Sequence, residues 1–450
     1  MTAVPTVDAA RLRESLERLV RLPSVAFPGF PEAPVREAAE LTAQLLRDAG
    51  VPDVAFVDVP GGAPPAVFAD IPGPTPDAPT VLLYAHYDVQ PAGPEESWTT
   101  PAFEPTERDG RLYGRGTADD KCGIAMHVAA LAAFLGEGGA GLPVRVKVLI
   151  EGEEETGEGT LSKLVAADPE RFRADAFVVA DGSNVASGVP TLTTSLRGMT
   201  VVDVTVDTLK IPVHSGVAGG PGPDALLALA RIIASLHDDR GNVAVQGLDT
   251  VPWTGAEVTE ESFRADNGVL EGVDLLGDGP IADQIFTRPS ITAIGLDAPA
   301  VDVAGNALIP QARARLSVRL APTQDPSAAA QAVIAHVMEH APWGVQVTVS
   351  EGAGATGALL ATEGPIAEAA GRALEAGYAA PAVQLGTGGA IPLCADLASI
   401  YPDAAFVLWG PGDERSRIHA GDESVDLGDL ERATVAEIAF LADLGRGAQG

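Results

Sequence analysis

The stretch VRVKVLIEGEEETGEG, Val144 to Gly159, runs a largely apolar segment directly into Glu151, Glu153, Glu154, Glu155 and Glu158. A short run that is apolar on both sides reads as a strand buried on both faces, the pattern of a parallel strand inside an α/β sheet. Carboxylates crowded at the end of such a strand repel one another unless a cation or a proton intervenes. The same form recurs along the chain. VAFVDV, AVFADI, TVLLYAH and AFVVAD are short apolar runs, and they alternate with longer helical patterns such as GIAMHVAALAAFL and TLSKLVAADPERF. This alternation predicts an α/β fold with a mixed, partly parallel sheet between helices. Upstream, apolar residues recur at spacings of three and four from Asp8 to Leu22 and from Pro34 to Gly50, predicting two amphipathic helices, the second closed by Gly50.

Between about Leu196 and Ser350 the pattern changes to MTVVDVTV, a helical DALLALARIIASL, a Gly/Asp-rich middle, RARLSVRLAP, a helix from Pro326 to His340, and VQVTVS. This predicts a smaller α+β unit inserted into the larger one. The expected division is 1–195 with 351–450 as one domain and 196–350 as the insert. A length of 450 residues agrees with more than one domain, since single cores stop growing earlier.

Composition narrows the function classes. Hydrophobic content of 46% with 20% charged residues is globular. The 62 acidic against 29 basic residues, a formal charge of −33, argue against nucleic acid or an anionic membrane as partner, because phosphate binding needs clustered Lys and Arg. Two cysteines, Cys122 and Cys394, are too few for a disulfide framework or a Cys-based zinc site. With no apolar run of about eighteen residues and no signal-like N-terminus, a cytoplasmic location is expected.

The unusual residues stand at strand ends, where open α/β sheets bind ligands. TVLLYAH ends at His86 and continues as HYDVQP, with Asp88 placed to take the second ring proton of a metal-bound His. GRGTADDK, Gly114 to Lys121, brings Asp119 and Asp120 to a helix start, where capping is the bland alternative. AFVVAD ends at Asp181, and SRIHAGDE carries His419. Each has an ordinary reading as a satisfied polar group or a solvated acidic loop. Jointly, two histidines and several carboxylates form an N/O donor set suited to Zn²⁺ or Mn²⁺, with room for two ions sharing one carboxylate.

HYDVQP, GRGTADDK, EGEEETG, IHAGDE, PVHSGVAGG and RLSVRLAP, in this order apart from the late IHAGDE, span almost the whole chain. Together they resemble the co-catalytic zinc peptidases that include carnosinase-like dipeptidases, aminoacylases and succinyl-diaminopimelate desuccinylase. HYDVQP and the long insert lean towards the dipeptidase branch. The resemblance implies two divalent ions, Zn²⁺ with Mn²⁺ or Co²⁺ as alternatives. His86 and Asp181 hold one, Glu155 and His419 the other, and Asp119 bridges them; Asp88 orients His86. Glu154 is implied as general base for a water attacking an amide bond, and the Asp119–Asp120 peptide bond as cis. His214 is implied to stabilise the oxyanion from a partner subunit, Arg319 to grip a substrate carboxylate, and the insert to act as lid and homodimerisation domain. The substrate is then a small peptide or an N-acyl amino acid. GTGGAIP departs from the pattern: Gly386 and Thr387 replace the Arg-Glu common in dipeptidase relatives and Ala390 replaces Ser, which leaves recognition of the substrate terminus open.

Rival readings remain. HVMEH, His336 to His340, fits the H-x-x-E-H zinc signature but sits in an ordinary amphipathic helix pattern. GEGGAG, Gly136 to Gly141, fits G-x-G-x-x-G but follows a helix and precedes a strand, the reverse of a dinucleotide site. His127 and His237 fall in helical patterns and read as structural, and Cys122 reads as a neighbour of the metals without being a ligand. A deacylase with the same chemistry, an H-x-x-E-H protease and a non-catalytic cation-binding protein are the alternatives to a dipeptidase.

Overall fold

A computed structural model describes residues 5–360, 362–389 and 391–447; Ala390 therefore lies outside the described residues. The chain divides into two compact units, Met1–Thr194 with Leu360–Leu385 and Leu393–Gly450, and Ser195–Leu359 with Gly386–Pro392.

The first unit is built on a mixed sheet, as the alternation of apolar runs and helical patterns predicts. Its strands follow the order Ala55–Val57, Ala66–Ile71, Arg145–Glu151, Thr80–His86, Ala176–Val179, Ala405–Leu408 and Thr191–Leu196. Thr80–His86 runs parallel to both Arg145–Glu151 and Ala176–Val179, and the latter is parallel to Ala405–Leu408. The pairs at the Ala55–Val57 edge are antiparallel. All four residues of Ala176–Val179 are buried, as are all but the first of Thr80–His86 and Arg145–Glu151. This burial is why these strands read as continuous apolar runs. Helix Lys121–Leu135 is buried almost all round, consistent with its near-uniform Ala, Ile, Met and Val composition. It packs against Thr80–His86 and against helices Ala9–Val20, Ala33–Asp48 and Leu427–Gly447. Helix Ala9–Val20 begins where Asp8 accepts the Arg11 N–H, an N-cap that stops one orphan donor from going unpaired.

The second unit carries a four-stranded antiparallel sheet ordered Ser290–Asp297, Gln311–Leu320, Gly198–Asp207, Gln346–Ala355. Gly198–Asp207 alternates strictly between buried and half-buried residues, the period-two signature of a sheet covered on one face. Val202, Val204, Val206, Leu316 and Val318 pack with Leu229, Ile232, Val333 and Val337 of helices Ala225–Ser235 and Pro326–Glu339. Strand Ser290–Asp297 forms an edge and is exposed from Thr292 onward.

His237 departs from the sequence expectation. The helix ends at Ser235, and His237 instead forms an isolated antiparallel bridge with Val243.

Candidate metal centre

The parallel register sets His86 beside Glu151, so one sheet edge delivers both an imidazole and the acidic loop. Gly152 is required immediately after: a Cβ there would lie 2.2 Å from the Tyr87 ring. The loop therefore folds tightly into the short 3₁₀ turn Glu154–Thr156. Asp88 fixes that turn, its two carboxylate oxygens accepting the N–H groups of Glu154 at 3.2 Å and Glu155 at 3.1 Å. The same side chain comes within 3.4 Å of His86 Nδ1, which also lies 3.1 Å from the Asp88 carbonyl oxygen. Asp88 thus aligns a ring and a loop at once.

Asp119 stands at the centre. Its Oδ1 is 3.1 Å from His86 Nε2 and its Oδ2 is 3.0 Å from His419 Nε2. His419 Nε2 is also 3.2 Å from Glu155 Oε2. Two sets of donor atoms lie within 4.8 Å of one another, His86 with Asp119 and Asp181, and Asp119 with Glu155 and His419. The Asp119–Asp120 peptide bond is cis. Asp120 does not cap the following helix with its side chain; its Oδ2 accepts the His86 N–H at 3.2 Å, so the bland capping reading does not describe it.

The electrostatics call for positive charge. Burial, reinforced by neighbouring carboxylates, pushes Asp181 well above the usual carboxylate range, Asp120 and Glu154 up to about 7, and Glu151 up to about 8. Hydrogen bonds to Asp119 and Glu155 push His419 up to about 10. Burial opposes charge on His86, yet its contacts with Asp119 and Asp88 hold its pKa well above the ordinary value. Burial also opposes charge on Asp119, but His419 and His86 hold it below. Two imidazoles facing separate oxygens of one carboxylate, with a further carboxylate in each group, fit a pair of divalent ions.

The acids of Glu151 to Glu158 divide by partner. Tyr84 Oη donates to Glu151 at 2.6 Å, Thr160 donates to Glu153, and Glu158 is exposed. Glu154 and Glu155 remain at the centre.

Residues not singled out from sequence complete the site. Gln90 donates through its backbone N–H to Glu155 Oε1 at 3.1 Å and through Nε2 to Oε2 at 2.8 Å. Lys121 Nζ donates to the carbonyls of Leu19 and Leu22, at 3.0 and 2.6 Å, tying the Asp119 turn to the N-terminal helix. Glu423 and Arg115 form a buried ion pair beneath the same turn. All four lie inside motifs already quoted, but nothing in their spacing marked a role.

His214 and Arg319 belong to the second unit. His214 is exposed, its Nδ1 accepting the Gly216 N–H at 3.0 Å. Arg319 is half-buried in Gln311–Leu320, opposite Ser290 and Met199. Burial and the charge of Arg319 together lower nearby Arg197 to about 10.

The other signatures have structural partners. His336 Nε2 lies 2.9 Å from Ser235 O and 3.1 Å from its Oγ, and the rings of His336 and His340 stack at 3.9 Å. Neither histidine enters a ligand-spaced group among the described residues. Gly136–Gly141 lies between the helix ending at Leu135 and the strand starting at Arg145. Cys122 donates to Ala118 O at 3.3 Å and also stays outside those groups.

Residues 82–443 match the model of peptidase family M20/M25/M40. The chain belongs to that family. It is a metallopeptidase, a metal-dependent hydrolase. The cysteinylglycine-S-conjugate dipeptidase of Corynebacterium striatum is 44% identical over 375 residues, covering 82% of each chain. Human Beta-Ala-His dipeptidase is 31% identical over 273 residues, 57% of this chain but only 53% of that protein. The crystal structure of human carnosine dipeptidase 1 superposes with a TM-score of 0.82 at 26% identity, covering 97% of this M20-family chain and 96% of the other. These relatives support the dipeptidase branch of the resemblance. Among the described residues no helix is long and apolar enough to cross a membrane.

Proposed function

We propose that this M20-family chain is a dipeptidase in which His86 and Asp181 hold one divalent ion, Glu155 and His419 a second, and Asp119 bridges both. The observation that carries the reading is the pairing of the two Asp119 oxygens with different histidines, at 3.1 and 3.0 Å. Such ions, with Zn²⁺ first and Mn²⁺ or Co²⁺ as alternatives for this donor set, supply Lewis acidity that polarises the scissile carbonyl and lowers the pKa of the attacking water.

The side chains do the rest. Glu154, with its proton affinity raised to about 7, takes the proton of the attacking water and returns it to the leaving amine. Asp88 holds the Glu154 and Glu155 backbone so that the two neighbouring acids serve different roles. His214, presented by a partner subunit in a homodimer, donates to the oxyanion. Arg319 takes the substrate carboxylate in a bidentate fork; an anion there relieves its repulsion with Arg197. The domain assignment accompanying this proposal is catalytic for 1–195 with 351–450, and lid and dimerisation for 196–350. A cytoplasmic location agrees with two unpaired, buried cysteines.

The similarity to the Corynebacterium enzyme makes Cys-Gly and its S-substituted forms the first substrates to test. A succinyl-diaminopimelate desuccinylase of Delftia acidovorans, 33% identical over 166 residues, covering 36% of this chain and 43% of that one, keeps N-acyl amino acids on the same panel. Purified protein loaded with Zn²⁺ is expected to cleave the dipeptides and leave N-acetyl and N-succinyl amino acids largely intact. The opposite selectivity would move the chain to the deacylase branch.

A further inference from the structure

Glu423 lies four residues beyond His419, on the same loop, and its carboxylate is fully buried. Its Oε1 accepts three backbone N–H groups, those of Gly116, Ala118 and Asp119, at 3.0, 2.9 and 3.2 Å. Its Oε2 pairs with Arg115 Nη1 at 2.5 Å, and its backbone carbonyl accepts the Gly114 N–H at 2.9 Å. One residue of the His419 loop therefore grips the whole turn that presents Asp119. Arg115 extends the junction, donating to Pro91 O at 3.3 Å and lying 5.5 Å from the Trp98 ring centroid. Asp422 secures the adjoining loop by accepting from Thr99 N and Oγ1, at 2.8 and 2.7 Å, and from Arg108 at 3.3 Å.

This junction controls a distance that matters. Asp119 reaches His86 with one oxygen and His419 with the other, so the separation between the Asp119 turn and the His419 loop sets whether both groups of donors close together. Ligands must be held to about 0.5 Å of their working positions by the groups behind them. We propose that Glu423 is a positioning residue that locks the Asp119 turn to the His419 loop, making ion binding at the Asp119–Glu155–His419 group depend on it. The inference rests on the two-ion reading above and adds a coupling between the Asp119 turn and the His419 loop, which lie far apart in sequence.

Calorimetric titration of chelated protein with Zn²⁺ tests it, using wild type, Glu423→Ala, Glu423→Gln and, as a destabilised control remote from the junction, Leu441→Ala in the main core. Wild type is expected to bind two ions. Glu423→Ala is expected to weaken one of them by on the order of 10- to 100-fold, the range for groups that orient metal ligands. Its kcat should fall at limiting Zn²⁺ with KM for a dipeptide little changed, and excess Zn²⁺ should restore much of the rate. Glu423→Gln keeps an acceptor for the three N–H groups but turns an amide toward Arg115, so it is expected to lose about 10-fold; if Glu423→Ala does not fold, this variant decides. Leu441→Ala should melt lower with unchanged ion affinity. Wild-type affinity in folded Glu423→Ala or Glu423→Gln would overturn the proposal, as would an equal loss in Leu441→Ala. Failure of wild type to bind two ions would instead overturn the two-ion reading itself.

Discussion

Glu154 and Glu155 are adjacent in sequence yet take different tasks in this account, because their surroundings differ. Glu155 is held by Gln90 through both carboxylate oxygens and faces His419. Glu154 is held through its backbone, its N–H donating to Asp88 and its carbonyl accepting the Gly157 N–H, and burial raises its proton affinity to about 7. Glu154→Gln is therefore expected to lower kcat by about 10²- to 10⁴-fold, the usual contribution of a general base, while the protein retains its ions. Elemental analysis alongside steady-state kinetics checks both halves; loss of the ions with the activity would make Glu154 a ligand instead. At this scale the strand-end His86 and the acidic run were readable because buried strands do not ordinarily end in clustered charge. Gln90, Lys121, Arg115 and Glu423 were not, because each acts through backbone carbonyls, backbone amides or a neighbouring carboxylate that only the folded loops bring within reach.

Helices Lys121–Leu135 and Leu427–Gly447 are joined by a buried contact, His127 Nδ1 to Glu437 Oε2 at 2.9 Å, with His127 Nε2 also 3.0 Å from the carbonyl of Tyr84. Burial disfavours the imidazolium, but Glu437 outweighs it and leaves the His127 pKa raised. A raised folded-state pKa contributes stability that is complete below the unfolded value of about 6.5 and is lost as pH climbs through the folded value. The melting advantage of wild type over His127→Gln should be largest near pH 6, where breaking such a pair costs about 3–5 kcal/mol, and should shrink as pH climbs through the raised folded-state value. A difference constant with pH would show that the pair carries no titrating charge. In strand Val383–Thr387, Gly386 is fixed by Phe286, whose ring and Cβ lie 2.7 to 2.9 Å from where a Cβ would stand. Installing a bulky side chain there, Gly386→Arg, is expected to cost about 1–3 kcal/mol by overpacking. Combined with Phe286→Ala it should cost less than the two single losses together, since the second change opens the space; strict additivity in thermal melts would refute the steric explanation. Sequence periodicity located the strands well because burial on both faces, or on one, leaves a direct imprint on composition. It misplaced His237 because helix ends depend on local turn geometry, and it could not foresee Phe286 against Gly386, a contact between segments about a hundred residues apart.

At the level of the whole molecule, strand Ser290–Asp297 of the second unit has no strand partner on one side among the described residues, with Ile294 and Leu296 58% and 54% exposed. An apolar sheet edge of this kind invites pairing with another chain, so it is the surface on which to test the proposed homodimer. Ile294→Lys with Leu296→Lys is expected to convert a sedimenting dimer to a monomer and to depress kcat by the loss of the partner's His214, with little change in melting temperature. A monomer as active as wild type would remove the shared-lid mechanism and leave the ion centre untouched. A mixed α/β sheet joined by a smaller α+β unit was legible from the change in strand pattern along the chain. Side-chain preference was not, because it depends on surfaces that no local spacing encodes. If Asp119 joins two ion sites into one hydrolytic centre, its loss should unmake both. Equilibrium dialysis of chelated wild type and Asp119→Ala against Zn²⁺, with Cys-Gly hydrolysis measured on the same samples, is the decisive experiment. Wild type should take up two ions per chain with activity rising as the second binds, and the variant should lose paired binding and turnover. Two ions bound and normal hydrolysis in Asp119→Ala would rule out a bridging role for Asp119.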